Sequence, residues 1–112
     1  MDLKFELESA PTMPGDTFKV VGSADSLGSW DTSKGHALKL EEDGVWRSER
    51  PAHLKDMNEA RMLEFKFVRE TGLGEVVWEC ESETNRHTDL SCFVNPSRLS
   101  VAVLRSQSFG VL

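Results

Sequence analysis

A period of two in short runs constrains this chain more than any other feature. Leu3, Phe5 and Leu7 alternate with Asp2, Lys4, Glu6 and Glu8. Such alternation lays apolar side chains along one face of an extended strand and polar ones along the other. The pattern recurs in pieces bounded by turn residues. Thr17 to Val21 follows Pro14-Gly15-Asp16 and stops at Gly22-Ser23. Ala37 to Leu40 and Val45 to Glu49 flank Glu41-Glu42-Asp43-Gly44, whose Asp-Gly pair suits the positive φ angles of a tight hairpin. Leu63, Phe65 and Phe67 face one way, whereas Glu64, Lys66 and Val68 face the other, so Lys66 lies on the face opposite two core phenylalanines. Thr71-Gly72-Leu73-Gly74 is a turn leading into Val76 to Cys80. After a polar stretch from Glu81 to Asp89, Asn95-Pro96-Ser97 opens a last strand with Leu99, Val101 and Val103 on one face. Helical spacing appears only in Leu54 to Met62, which is too short to define a fold.

About seven to eight short strands with turns between them predict an all-β chain: an antiparallel sandwich or an open-sided, distorted barrel. At 112 residues the chain has room for one core, so residues 1–112 are read as a single domain, with a frayed end or linker starting near 105–112.

Charge and residue content then narrow the function. Thirteen Lys and Arg against nineteen Asp and Glu leave a formal net charge of −6. That balance lacks the basic footprint needed for nucleic acid or an acidic membrane surface. The longest apolar run, Val101-Ala102-Val103-Leu104, is far too short for a membrane span or a signal peptide. The expectation is therefore no membrane partner and an intracellular location, with secretion open for a fragment of a longer chain. Cys80 and Cys92 are too few to staple a small secreted scaffold; reduced thiols are the better reading, with a disulfide between the two as the alternative. With His87 they fall short of the four ligands and close Cys pair of a structural zinc site, so no metal is expected.

Enzymatic readings find no support in the motifs. His36, His53 and His87 all fall in predicted loops or turns, outside any nucleophile or metal motif. Nineteen carboxylates supply many accidental pairs, so abundance alone does not identify a glycosidase acid and base. Gly72 and Gly74 lack the third glycine and following helix of a phosphate-binding loop. Neither catalytic residue nor cofactor is expected.

The three tryptophans are more informative. Trp30 closes Gly22-Ser23-Ala24-Asp25-Ser26-Leu27-Gly28-Ser29, a stretch without a strand period to carry it into a core, which predicts an exposed indole. Trp78 shares a face with Val76, and that pair reads equally as buried or exposed. Trp46 lies within a strand beside charged residues and reads as a core or edge tryptophan at least as well as a binding one. An exposed indole near amide and ammonium donors suits a sugar. The axial C–H groups of a pyranose lie flat on an aromatic plane while the equatorial hydroxyls need directional partners.

Val20-Val21-Gly22-Ser23 with Leu27-Gly28-Ser29-Trp30, then Glu64-Phe65-Lys66-Phe67-Val68, then Val77-Trp78-Glu79 with Asn85-Arg86, form an ordered set that resembles the starch-binding domains of carbohydrate-binding module family 20. The similarity runs from about Phe5 to Leu104. It implies an eight-stranded, open-sided sandwich of the immunoglobulin-like kind. It also implies that Trp30 and Trp78 stack on adjacent glucose rings while Lys66 and Asn85 bond their hydroxyls, with Glu79 as a further contact. Family members with two sites build the second partly from tyrosines. This chain has none, leaving Trp46 as the indole from which a second site would be made. The function so implied is a non-catalytic module that binds α-1,4-glucan such as starch, glycogen or maltooligosaccharides, as part of a larger glucan-active enzyme. The alternatives are a glycogen-binding module of the family 48 type and an immunoglobulin-like protein-interaction domain.

Overall fold

In the computed structural model, which describes residues 2–8, 10, 12–79, 85–88 and 101–107, the regular structure is mainly strand. They are β1 (Asp2–Glu8), β2 (Thr17–Gly22), β3 (His36–Leu40), β4 (Trp46–Ser48), β5 (Ala52–His53), β6 (Leu63–Glu70), β7 (Val76–Trp78), β8 (Arg86–Thr88) and β9 (Val101–Gln107). Two 3-10 segments, Asp25–Trp30 and Thr32–Lys34, lie between β2 and β3, and one short helix, α1 (Met57–Arg61), precedes β6. Asp56 caps that helix by accepting the Glu59 N–H at 2.9 Å, which satisfies one of the donors a helix start leaves unpaired.

The strands join in the order β5-β1-β4-β3-β2-β6-β7, with β8 also on β6 and β9 also on β1. The path does not close on itself, and β3 bridges its two halves by pairing with β2 on one side and β4 on the other. The inward faces carry the predicted alternation. Leu3, Phe5 and Leu7 from β1, Phe18 and Val20 from β2, and Leu63, Phe65 and Phe67 from β6 are all buried. Phe5 meets the Phe65 ring edge-on with centroids 5.1 Å apart, so the two halves lock through their aromatic side chains.

Four features depart from the sequence-based expectation. β9 runs parallel to β1 along its full seven residues, whereas every other pair is antiparallel. Side-chain alternation is the same in either direction, so periodicity carries no information about strand sense. Arg105 to Gln107 belong to that strand and are not linker, while 108–112 lie outside the described residues. β5 and β8 were not expected, because two or three residues such as Arg86-His87-Thr88 show no apolar period of their own. They form as short continuations along the edges of β1 and β6. Finally, the Leu40–Trp46 hairpin has its positive φ at Gly44 alone, with the Gly44 N–H on the Glu41 carbonyl at 3.0 Å. It is a longer loop than the two-residue type.

Candidate functional site

Of the expected site residues, Lys66, Trp78 and Asn85 lie on β6 or beside the edge of it that pairs with β7 and β8, on the face turned away from the core. Directly paired residues of an antiparallel ladder project to the same side, so the register sorts them. Val68 pairs with Trp78 and with Lys19, Lys66 pairs with Val21, and Glu64 pairs with His87. All of these lie opposite Phe65 and Phe67. Val76 and Trp78 share this outer face and are 43% and 37% exposed, which resolves the ambiguity of that pair in favour of exposure.

β7 and β8 both pair with β6, β7 up to Trp78 opposite Val68 and β8 from Arg86 opposite Phe65. The row of Lys66 lies between these two stretches. Lys66 is only 6% exposed, more enclosed than its place on an outer face suggests, and Val21 opposite it and Val68 two residues along β6 are buried as well. Asn85 borders the same row, with its amide nitrogen 3.4 Å from Glu64 Oε2.

Trp30 lies on a strained loop. Gly28, Ser29 and Trp30 have φ of 81°, 48° and 69°, three consecutive residues in the left-handed region. For a tryptophan that conformation is uncommon and persists only where the surroundings fix it. Here they do. Leu27 is fully buried in the core, Ser29 Oγ bonds Asp25 Oδ1 at 3.1 Å, and the Asp31 N–H reaches the Gly28 carbonyl at 3.0 Å. Asp31 then accepts from both the backbone N–H and the hydroxyl of Ser33, and those bonds hold its carboxyl below the usual carboxylate range. The loop leaves β2 beside Glu64, whose carbonyl takes the Ser23 N–H at 2.9 Å, and returns at Gly35 against Val21, the partner of Lys66. The half-buried Trp30 therefore sits on the segment that borders the Lys66 row.

Two expectations need correction. Trp46 is 4% exposed, its ring packs against Phe18 with centroids 5.0 Å apart, and its indole N–H donates to Thr12 Oγ1 at 3.2 Å. It is a core residue and offers no open ring for a second site. The Glu79 side chain is fully buried, and its carboxylate is committed to the Phe67 N–H at 2.7 Å and to Arg86 at 2.8 Å. That places it behind the outer face. Arg86, quoted in the sequence pattern but assigned no role there, is the partner that accounts for this. Its guanidinium also lies 5.1 Å from the centroid of the Phe67 ring. Cys80 and Cys92 lie outside the described residues, and among the described residues no cluster of His, Cys, Asp and Glu could hold a metal ion. Among those residues, too, no helix is long and apolar enough to cross a membrane.

Known proteins resemble this chain in both sequence and fold. Residues 1–96 match the family described as the starch binding domain. A cyclomaltodextrin glucanotransferase from Geobacillus stearothermophilus is 33% identical over 84 residues, which cover 73% of this chain and 11% of that enzyme. The chain thus spans about a ninth of the length of this relative. Among solved structures, the gamma-cyclodextrin glucanotransferase of the alkalophilic Bacillus clarkii superposes with a TM-score of 0.73 at 22% identity, over 95% of this chain and 14% of that one. The Hypocrea jecorina glucoamylase of glycoside hydrolase family 15 gives 0.72 at 23% identity, over 95% and 16%. The family 20 carbohydrate-binding module of a maltotetraose-forming amylase from Pseudomonas saccharophila gives 0.61 at 18%, over 93% of this chain and all of that one. The likeness in fold bears out the all-β, open-sheeted architecture expected from the strand pattern.

Proposed function

The chain belongs to the starch-binding domain family, and from that premise we propose that it binds α-1,4-glucan on the outer face of β6 and β7 and has no catalytic activity of its own. The observation that carries the reading is the placement of Trp78, an indole more than a third exposed on the side of the sheet opposite the core, one row from Lys66. A glucose ring lies against the open face of Trp78 through its axial C–H groups. A second ring lies against Trp30, with the two indoles following the bend of the glucan. Lys66 supplies a donor from an enclosed position, where a hydrogen bond competes less with water, and Asn85 supplies an amide.

Glu79 acts from behind this face without touching sugar. The exposed ring of the face, Trp78, stacks with one side still wet, so affinity for a single short glucan is modest, about 10–500 μM. Attached to a glucan-active enzyme, such a module raises the local concentration of the enzyme on starch or glycogen, and tighter retention then comes from linked sites engaging together.

Affinity electrophoresis in native gels cast with glycogen or amylopectin tests the reading. The chain is retarded relative to a control protein and the retardation is relieved by soluble maltoheptaose. Equal mobility with and without polysaccharide contradicts it and returns the exposed indole to a protein-contact role.

A further inference from the structure

Three residues on the outer face, Lys66, Trp78 and Asn85, each immediately precede a residue turned inward: Phe67, Glu79 and Arg86. The inward three are bonded to one another. Phe67 lies where β6 has neither β7 nor β8 beside it, and Glu79 satisfies both its backbone groups. The Glu79 N–H donates to the Phe67 carbonyl at 3.2 Å, and Glu79 Oε2 accepts the Phe67 N–H at 2.7 Å. Arg86, the first residue of β8, closes the set. Its Nε donates to both carboxylate oxygens of Glu79 at 3.0 and 3.1 Å, and Nη2 donates to Oε1 at 2.8 Å. The pair is enclosed, with side-chain exposures of 0% for Glu79 and 15% for Arg86. A forked guanidinium and a carboxylate fix direction as well as distance, which two flexible side chains in water do not.

We infer that the Glu79–Arg86 ion pair is a positioning element for glucan recognition, holding Trp78 and Asn85 on either side of Lys66. The inference rests on the outer-face site proposed above. The pair ties the end of β7 to the start of β8 and fastens both to β6 through Phe67, so the separation of the two outward residues is set from the inside of the sheet. Because the carboxylate is fully enclosed and already bonded by Arg86 and the Phe67 N–H, its effect on a ligand passes through its neighbours in the chain.

The test is a double-mutant cycle on the folded chain. Maltoheptaose affinity is followed by NMR titration for wild type, Glu79→Gln, Trp78→Ala and the double variant, at a temperature where melting curves show each to be folded. Glu79→Gln keeps an acceptor for the Phe67 N–H and loses the charge that holds Arg86. It weakens binding about tenfold on its own, but at most about threefold when Trp78 is already alanine, because the residue it positions is gone. If Glu79→Gln does not fold, Arg86→Lys, which keeps the charge and loses the fork, takes its place in the same cycle with the same expected pattern. Wild-type affinity in a folded Glu79→Gln chain would assign the pair to stability alone and overturn the inference while leaving the glucan site intact. An equal loss in both backgrounds would make Glu79 a direct contact and also overturn it. Absence of binding by wild type defeats the site and the inference together.

Discussion

Val68 and Trp78 stand directly opposite each other across β6 and β7. Since Phe67 projects into the core, its neighbour Val68 projects away from it, and Trp78 goes with Val68. The register alone therefore sends one tryptophan outward, while Trp46, paired with Leu7 on β1, is sent inward by the same rule. The division of labour between the two indoles follows from the parity of their partners.

Replacing the inward indole should cost stability and spare affinity. Trp46→Ala removes a ring packed on Phe18 and the donor to Thr12, and large-to-alanine changes in a core cost about 3–5 kcal/mol. Denaturant unfolding should show that loss, while maltoheptaose affinity measured at low temperature on the folded chain stays within about twofold of wild type. A selective loss of affinity at unchanged stability would return Trp46 to the binding surface.

Gly28 gives a second separation. Its φ of +81° disfavours any Cβ, and a Cβ built there would lie 2.7 Å from the Lys34 carbonyl oxygen. Gly28→Ala should therefore displace the loop that presents Trp30, weakening glucan binding several-fold with a stability loss of about 1–3 kcal/mol from the strained backbone. Titration of the variant with maltoheptaose alongside its melting curve checks both. Unchanged affinity in the face of lowered stability would remove Trp30 from the site.

Acid should act on the fold through His36. Burial pushes its imidazole below the ordinary value of 6.5, and its Nε2 is enclosed without a hydrogen-bond partner. A folded chain that resists protonation binds fewer protons than the unfolded one, so stability is full above about pH 6.5 and declines as pH falls toward the lowered folded value. Urea midpoints between pH 7.5 and 5 should fall accordingly, and His36→Leu should flatten the slope. An unchanged slope in that variant would assign the dependence to other groups.

Much of the fold is legible in the alternation of Leu3-Phe5-Leu7 and Leu63-Phe65-Phe67, because burial against a core is what a period of two encodes. The hairpin from Leu40 to Trp46 is legible for the same reason, with turn residues between its strands. What alternation does not encode is which way a neighbouring strand runs or which of its faces meets the core. Hence the period of two does not tell that β9 runs parallel to β1, that Val76 and Trp78 are exposed, or that Lys66 is enclosed. The site residues were legible mainly through the resemblance of the Trp-Glu and Asn-Arg pieces to a known pattern. That pattern names Glu79 and Arg86 but does not tell that they face inward and hold each other. Only the register around Phe67 does.

Isothermal titration of the wild-type chain and Trp78→Ala with a seven-unit linear glucan tests the central claim most directly. The outer-face site predicts one glucan per chain for wild type, with a dissociation constant of about 10–500 μM. Trp78→Ala should retain cooperative melting and lose affinity by about 5- to 150-fold, the value of a stacking anchor of roughly 1–3 kcal/mol. Unaltered affinity in a folded Trp78→Ala chain, or no heat with wild type, would contradict the assignment of glucan binding to this face.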